Sequence, residues 1–85
     1  MSSASSASGS DRSRRLATLD VGAEGVVVRV VPDDTGRADR LAALGVTPGA
    51  HVTVLQRFPG FVFQCDETEL AVEPAVARAI LVNVR

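Results

Sequence analysis

Short apolar runs alternate with turn-forming residues along most of this chain. The first run, residues 25–31, consists mainly of valine, and Val26, Val28 and Val30 fall on one face at the two-residue period of a β-strand. Pro32 follows this run, and because proline lacks a backbone N–H it cannot donate to a sheet ladder. The pattern therefore predicts a first β-strand over residues 25–31.

A short amphipathic helix is predicted next, starting near residue 37. Ala38, Leu41 and Leu44 recur at a spacing of three, which places them on one helical face and predicts that both leucines are buried. The turn before the helix, residues 33–36, carries acidic and hydroxyl side chains that can cap its first N–H groups.

Glycine and proline then mark the end of the helix and a sharp turn. Gly45 stands just after the last apolar residue of the helix, where the backbone usually enters the left-handed region. Pro48 and Gly49 suit the two central positions of a type II turn, because the first needs a fixed negative φ and the second a positive φ. The chain is expected to be extended from His51 onward.

Four further strands and a second helical segment complete the predicted domain. The strands cover residues 51–58, 61–65, 68–72 and 80–84, and one or two helical turns cover residues 73–79. Within the third strand, Phe61, Phe63 and Cys65 alternate onto one side. The predicted fold is mostly β, a small SH3-like barrel of about five strands. A short helix lies between strands 1 and 2, and a helical turn precedes the last strand.

Composition divides the chain into a leader and one small domain. Residues 1–14 are rich in serine and alanine with almost nothing to bury, so we predict a disordered leader followed by a folded domain over residues 15–85. The leader lacks the continuous apolar region of a secretory signal. No segment approaches the ~20 consecutive apolar residues of a membrane-spanning helix. We therefore expect a cytoplasmic protein that does not insert into the membrane.

The charge balance argues against a nucleic-acid partner. From Leu16 onward there are six arginines and nine carboxylates, whereas a DNA-binding domain normally presents a basic face that displaces counterions. Cys65 is the only cysteine, which excludes an internal disulfide and any zinc site made of several cysteines from this chain.

The sequence contains no recognisable catalytic motif. His51 is the only histidine, and no nucleophile motif or glycine-rich phosphate loop accompanies it, so we predict no enzymatic activity and no cofactor. If ferrous iron or another divalent transition metal binds, the candidate ligands are His51, Cys65, Asp66 and Glu67. Because Cys65 is in phase with two phenylalanines, it is predicted to lie in the core, and we expect no dedicated iron site.

Four segments resemble FeoA-domain proteins in their order and spacing. They read LDVGAEGVV at residues 19–27, RLAALGVTPG at 40–49, FVFQCDETELAV at 61–72 and ARAILV at 77–82. The third segment has Asp66-Glu67 at a hairpin tip where a glycine is common in the family. The resemblance implies a small cytoplasmic SH3-like barrel that acts with the membrane transporter FeoB in ferrous iron uptake. The same domain forms the C-terminus of iron-dependent repressors of the diphtheria-toxin-repressor type.

Two functions follow from this resemblance. The first is a non-catalytic accessory protein that binds the cytoplasmic part of FeoB and modulates it, and the alternative is a regulatory module related to the repressor C-terminal domain. Neither reading predicts the oligomeric state. In either case the domain acts by contact, and the residues predicted to meet a partner are exposed arginines and a loop tip, namely Arg37, Arg40, Arg57, Phe58 and Pro59.

Overall fold

The computed structural model describes residues 13–85, so most of the predicted leader lies outside the described residues. These residues form one antiparallel sheet of six strands in the order β1-β6-β2-β3-β4-β5. The strands are β1 (Ser13–Arg15), β2 (Glu24–Val30), β3 (His51–Gln56), β4 (Phe61–Cys65), β5 (Thr68–Val72) and β6 (Ile80–Val84). A 3₁₀ turn (Leu16–Thr18) and the helices α1 (Arg37–Ala43) and α2 (Pro74–Ala77) connect them.

The sheet gains one strand over the predicted five. Ser13–Arg15 pairs antiparallel with β6, with Ser13 opposite Asn83, so residues 13 and 14, which were predicted to belong to the leader, lie in the sheet. Leu16 follows directly and is fully buried. β1 therefore brings the first core residue of the domain into place.

Strand β2 contains a bulge that changes which valines face the core. Its pairing with β6 shifts register between Val27 and Arg29, so the single face predicted for Val26, Val28 and Val30 is broken. Val27 is 2% exposed and belongs to the core, whereas Val28 is 36% exposed. Regular alternation fails here because the extra residue of a bulge inverts the side-chain phase.

Helix α1 ends in a Schellman motif at the predicted glycine. Gly45 has φ 99°, and its N–H donates to the Ala42 carbonyl while the N–H of Val46 donates to the Leu41 carbonyl at 2.9 Å. Leu41 is buried as predicted, but the predicted burial of Leu44 is wrong, because Leu44 is 52% exposed. The chain reverses after Gly45, and Val46, 1% exposed, enters the core instead.

The remaining turns and strands follow the sequence closely. Gly49 has φ 96°, and the N–H of Ala50 donates to the Thr47 carbonyl, as a type II turn requires. β4 and β6 have the predicted bounds, whereas β3 ends at Gln56, two residues earlier than predicted. The buried core joins the 3₁₀ turn, α1, α2 and the four strands β2, β3, β4 and β6. Its residues are Leu16, Leu19, Val27, Leu41, Val46, Ala50, Val52, Val54, Phe61, Phe63, Cys65, Ala77, Ile80 and Val82.

Among residues 13–85, no helix is long and apolar enough to cross a membrane.

Candidate partner-binding surface

The loop between β3 and β4 presents an exposed aromatic side chain. Phe58 is 81% exposed, and Pro59 beside it is also exposed, as predicted for this tip. The amide of Gln56 donates to the Gly60 carbonyl at 3.2 Å and bridges the loop. The Phe58 ring is therefore available to pack against a partner.

Arg57 is tied to the body of the domain rather than free. Its Nη2 donates to the Ala17 carbonyl at 3.2 Å, and its Nη1 lies 3.6 Å from Oδ1 of Asp20. Arg57 is half-buried as a result. Because Asp20 is exposed, this ion pair is worth little in stability, but together the two contacts fix the position of the guanidinium next to Phe58.

Arg37 and Arg40 hold the loop that precedes α1. Arg37 pairs with Asp33, with Nη1 3.3 Å from Oδ2, and its Nη2 donates to the Val31 carbonyl at 3.1 Å. Arg40 donates through Nη1 to the Thr35 carbonyl at 2.6 Å. Arg37 is half-buried rather than exposed as predicted, whereas Arg40 is exposed.

The carboxylate of Asp33 organises the same loop. Its Oδ1 accepts hydrogen bonds from the Thr35 hydroxyl at 2.7 Å, the Thr35 N–H at 3.0 Å and the Arg37 N–H at 3.3 Å. The hydrogen bond from the Thr35 side chain is the main cause that lowers the pKa of Asp33 below its usual 3.8, and the backbone N–H groups and the Arg37 charge add to it. The predicted capping of α1 by this turn therefore comes from Asp33.

Four of the five predicted contact residues line two grooves, and Pro59 lines neither of them. Arg57 and Phe58 line a groove of about 320 Å³ beside the 3₁₀ turn. Arg37 and Arg40 line a smaller apolar groove of about 210 Å³ between α1 and the β5–α2 connection, where the exposed Leu44 also lies. Exposed Leu44 and the two grooves are features that the sequence did not indicate.

Two arginines that were not predicted as contact residues lie in the same groove as Phe58. Arg15 and Arg78 line the groove of Arg57 and Phe58, and both also line an adjoining groove of about 320 Å³ that reaches Arg37. Both residues are exposed. No local pattern marks them, because strand β1 and helix α2 bring them together only in the folded domain.

The four candidate metal ligands do not converge on one point. The thiol of Cys65 is 2% exposed and donates to the Gly45 carbonyl with Sγ 3.4 Å from the oxygen. Burial, and secondarily the charge of Asp66, raises the pKa of this thiol, which disfavours the thiolate that a metal would need. Cys65 is therefore a core residue, as predicted.

His51 and Asp66 are joined by two hydrogen bonds, one of which involves the Asp66 carboxylate. The His51 N–H donates to Oδ1 of Asp66 at 3.2 Å, and the Asp66 N–H donates to the His51 carbonyl at 2.8 Å. The imidazole Nδ1 of His51 lies 3.3 Å from a guanidinium nitrogen of Arg85, whose positive charge opposes a cation there. Among residues 13–85, no three His, Cys, Asp or Glu side chains, Glu67 included, are grouped as a metal site requires.

Comparison with known proteins identifies the family. The model of the FeoA domain matches residues 14–84, which is most of the chain, so the chain belongs to the FeoA family. A search of curated protein sequences gave no significant match. Family membership links the chain to ferrous iron transport.

Solved structures show the same fold. An iron uptake regulatory protein, FeoA, superposes with a TM-score of 0.75 at 24% identity over 86% of this chain and 99% of its own. The zinc complex of Stenotrophomonas maltophilia FeoA, described as a prokaryotic SH3 domain protein, gives a TM-score of 0.71 at 25% identity over 79% and 86% of the two chains. The T. acidophilum repressor IdeR gives 0.77 at 20% identity, but this chain covers only 34% of it. The fold is therefore SH3-like and shared with part of a repressor.

Proposed function

We propose that this chain is a non-catalytic accessory protein of ferrous iron transport that binds the cytoplasmic part of an FeoB-type membrane transporter and modulates it. The observation that carries the proposal is the match of the FeoA domain model over residues 14–84. The S. maltophilia relative has been suggested to act as a ferrous iron transport activating factor. In this proposal the chain works in the cytoplasm and reaches the membrane through its partner.

The surface of the domain supports action by contact. Phe58 stands exposed beside a guanidinium that is held in place, which is the combination of aromatic and arginine side chains that dominates binding energy in many interfaces. Three of the four candidate metal ligands, His51, Cys65 and Asp66, form hydrogen bonds within the domain, so the proposal gives the chain no role in carrying the ion itself.

The test combines binding and transport. The full 85-residue chain and the transporter's cytoplasmic domain are mixed and their affinity is measured by calorimetry, and ferrous iron uptake is measured in cells with and without the gene for this chain. We expect binding, and a change in uptake that a plasmid copy of the gene restores. No binding together with unchanged uptake would refute the proposal.

A second candidate function rests on the superposition with IdeR. That likeness concerns the fold alone, and this chain corresponds to about a third of the repressor, so a regulatory role would require action on a separate DNA-binding protein. Transcript levels of iron-regulated genes, measured in the same deletion strain at fixed intracellular iron, separate the two functions. Changed transcripts with unchanged uptake kinetics would favour regulation.

A further inference from the structure

The groove beside Phe58 combines an apolar lining with a cluster of positive charge. It runs between the 3₁₀ turn, the β3–β4 loop and the start of α2, and has a volume of about 320 Å³. Its apolar side chains are those of Ala17, Phe58, Phe61 and Pro74, and its charged side chains are Arg15, Arg57 and Arg78. No carboxylate lines this groove among the described residues. We refer to it as the arginine groove.

The three arginines differ in how they are held. Arg57 is positioned by the Ala17 carbonyl and by Asp20, so its guanidinium is already ordered before any partner arrives. Arg15 and Arg78 are exposed, and neither forms an ion pair with a carboxylate within residues 13–85. Two guanidinium groups therefore remain available to pair with negative charge from outside the domain.

Arginines are concentrated at the arginine groove and the groove beside it, although the chain as a whole has a slight negative charge. The whole chain has a formal net charge of −1, yet four of its nine arginines line the arginine groove or the adjoining groove that shares Arg15 and Arg78 with it. Of these four, Arg37 lines the adjoining groove but not the arginine groove. Because Arg37 and Arg57 are paired with Asp33 and Asp20, the positive charge that is left to steer an acidic partner to this face comes from Arg15 and Arg78.

We propose that the arginine groove binds an acidic protein segment that also carries an apolar side chain. Carboxylates of the segment pair with Arg15 and Arg78, and its apolar side chain packs against Phe58 over the groove. A guanidinium fork suits carboxylates because it can donate two parallel hydrogen bonds to one of them. The proposal rests on the proposed function in one respect: the segment belongs to the transporter's cytoplasmic part.

A protein segment fits the groove better than a polyanion does. Phe58 is 81% exposed and lines the same groove as the arginines, and its phenyl ring, which has no hydrogen-bonding group, gains binding energy when it is buried against apolar groups of a partner. Nucleic acid binding draws instead on a broad basic face, and the remaining surface of this chain is acidic overall. One exposed aromatic ring beside two guanidinium groups without ion pairs therefore suits a short peptide that carries both acidic and apolar side chains.

The experiment compares four full-length chains for binding to the transporter's cytoplasmic domain. The double variant Arg15→Glu/Arg78→Glu reverses the charges proposed to pair with carboxylates. The variant Phe58→Ala removes the ring proposed to pack against the apolar side chain. Arg85→Glu is the matched control, because Arg85 is an exposed arginine that does not line the groove. Thermal unfolding of each variant establishes that it is folded, which is expected since all these side chains are exposed.

We expect the double variant to bind at least about ten-fold more weakly, Phe58→Ala about five-fold more weakly, and Arg85→Glu within about two-fold of the unchanged chain. The affinity of the unchanged chain should also fall as salt is raised from about 0.05 to 0.5 M, and this fall should be smaller for the double variant.

The outcomes separate this inference from the function on which it rests. If the unchanged chain does not bind the transporter domain, the proposed function fails. If it binds and the double variant binds equally well, the arginine groove is not the contact and only this inference fails. Sedimentation with phosphatidylglycerol vesicles that is lost in the double variant, while transporter binding is unchanged, would assign the groove to lipid headgroups and overturn the proposal.

Discussion

The thiol of Cys65 donates a hydrogen bond to the carbonyl oxygen of Gly45, with Sγ 3.4 Å from the oxygen. This contact joins strand β4 to the residue that ends helix α1, and it lies within the core, where Cys65 is 2% exposed. The only cysteine of the chain is therefore used for packing rather than for chemistry at the surface.

We expect Cys65 to react slowly with thiol reagents in the native protein. Burial excludes the reagent and raises the pKa of the thiol, so little thiolate is present at neutral pH. Labelling by an aromatic disulfide at pH 7.5 should be at least about a hundred-fold slower in buffer than in denaturant, because reaction requires the domain to open. Equal rates in the two conditions would show that Cys65 is accessible and could serve as a metal ligand.

The two leucines of the α1 segment should differ strongly in their contribution to stability. Leu41→Ala removes a buried side chain and is expected to lower the free energy of unfolding by about 2–5 kcal/mol. Leu44→Ala, at a 52% exposed position, is expected to change it by no more than about 0.5 kcal/mol. Urea unfolding followed by circular dichroism measures both. A larger loss for Leu44→Ala than for Leu41→Ala would contradict the described end of the helix.

The sequence predicted elements whose boundaries depend on local chemistry. β4 has the predicted bounds because its alternation is regular between two turns, and Gly45 and Gly49 have the positive φ that their turns require. β1 could not be predicted, because Ser13–Arg15 has no apolar pattern and becomes a strand only by pairing with the edge of β6. The sequence pattern did not predict that Leu44 is exposed, because the chain changes direction at Gly45, the next residue.

The candidate surface was predictable only in part, because some of its residues are brought together only by the fold. Phe58 could be recognised because an aromatic residue beside Pro-Gly at a loop tip has no strand to bury it. Arg15 and Arg78 lie far apart in sequence, and only the fold places them in one groove. The intramolecular partners of Arg37 and Arg57 are backbone carbonyls and nearby acids, and no sequence pattern distinguishes such an arginine from a free one.

Gly25 in strand β2 should not tolerate a side chain. A Cβ built there would lie 2.7 Å from the backbone oxygen of Asn83 in β6, which cannot move without separating the two strands. Gly25→Ala is therefore expected to destabilise the domain by about 1–3 kcal/mol, as overpacking of an interior commonly does. Gly60→Ala is the control, because a Cβ at that position meets nothing within 4 Å. Equal stability of the two variants in urea unfolding would contradict this close approach of β2 and β6.

The loop before α1 should make stability depend on pH through Asp33. Its pKa is lowered in the folded state, chiefly by the Thr35 hydroxyl, so the ionised carboxylate stabilises the fold. This contribution is fully present above the ordinary pKa of 3.8 and is lost as pH falls through the lower folded value.

Asp33→Asn should therefore be less stable than the unchanged chain at pH 7, and the difference should shrink as the pH falls through the lowered pKa of Asp33 and the carboxylate becomes protonated. The control is Asp34→Asn, because the neighbouring Asp34 side chain makes no hydrogen bond or ion pair within residues 13–85. Urea unfolding of the three proteins at several pH values measures the effect. A difference for Asp33→Asn that persists undiminished at low pH would mean that the loss comes from altered packing of the loop rather than from the carboxylate charge.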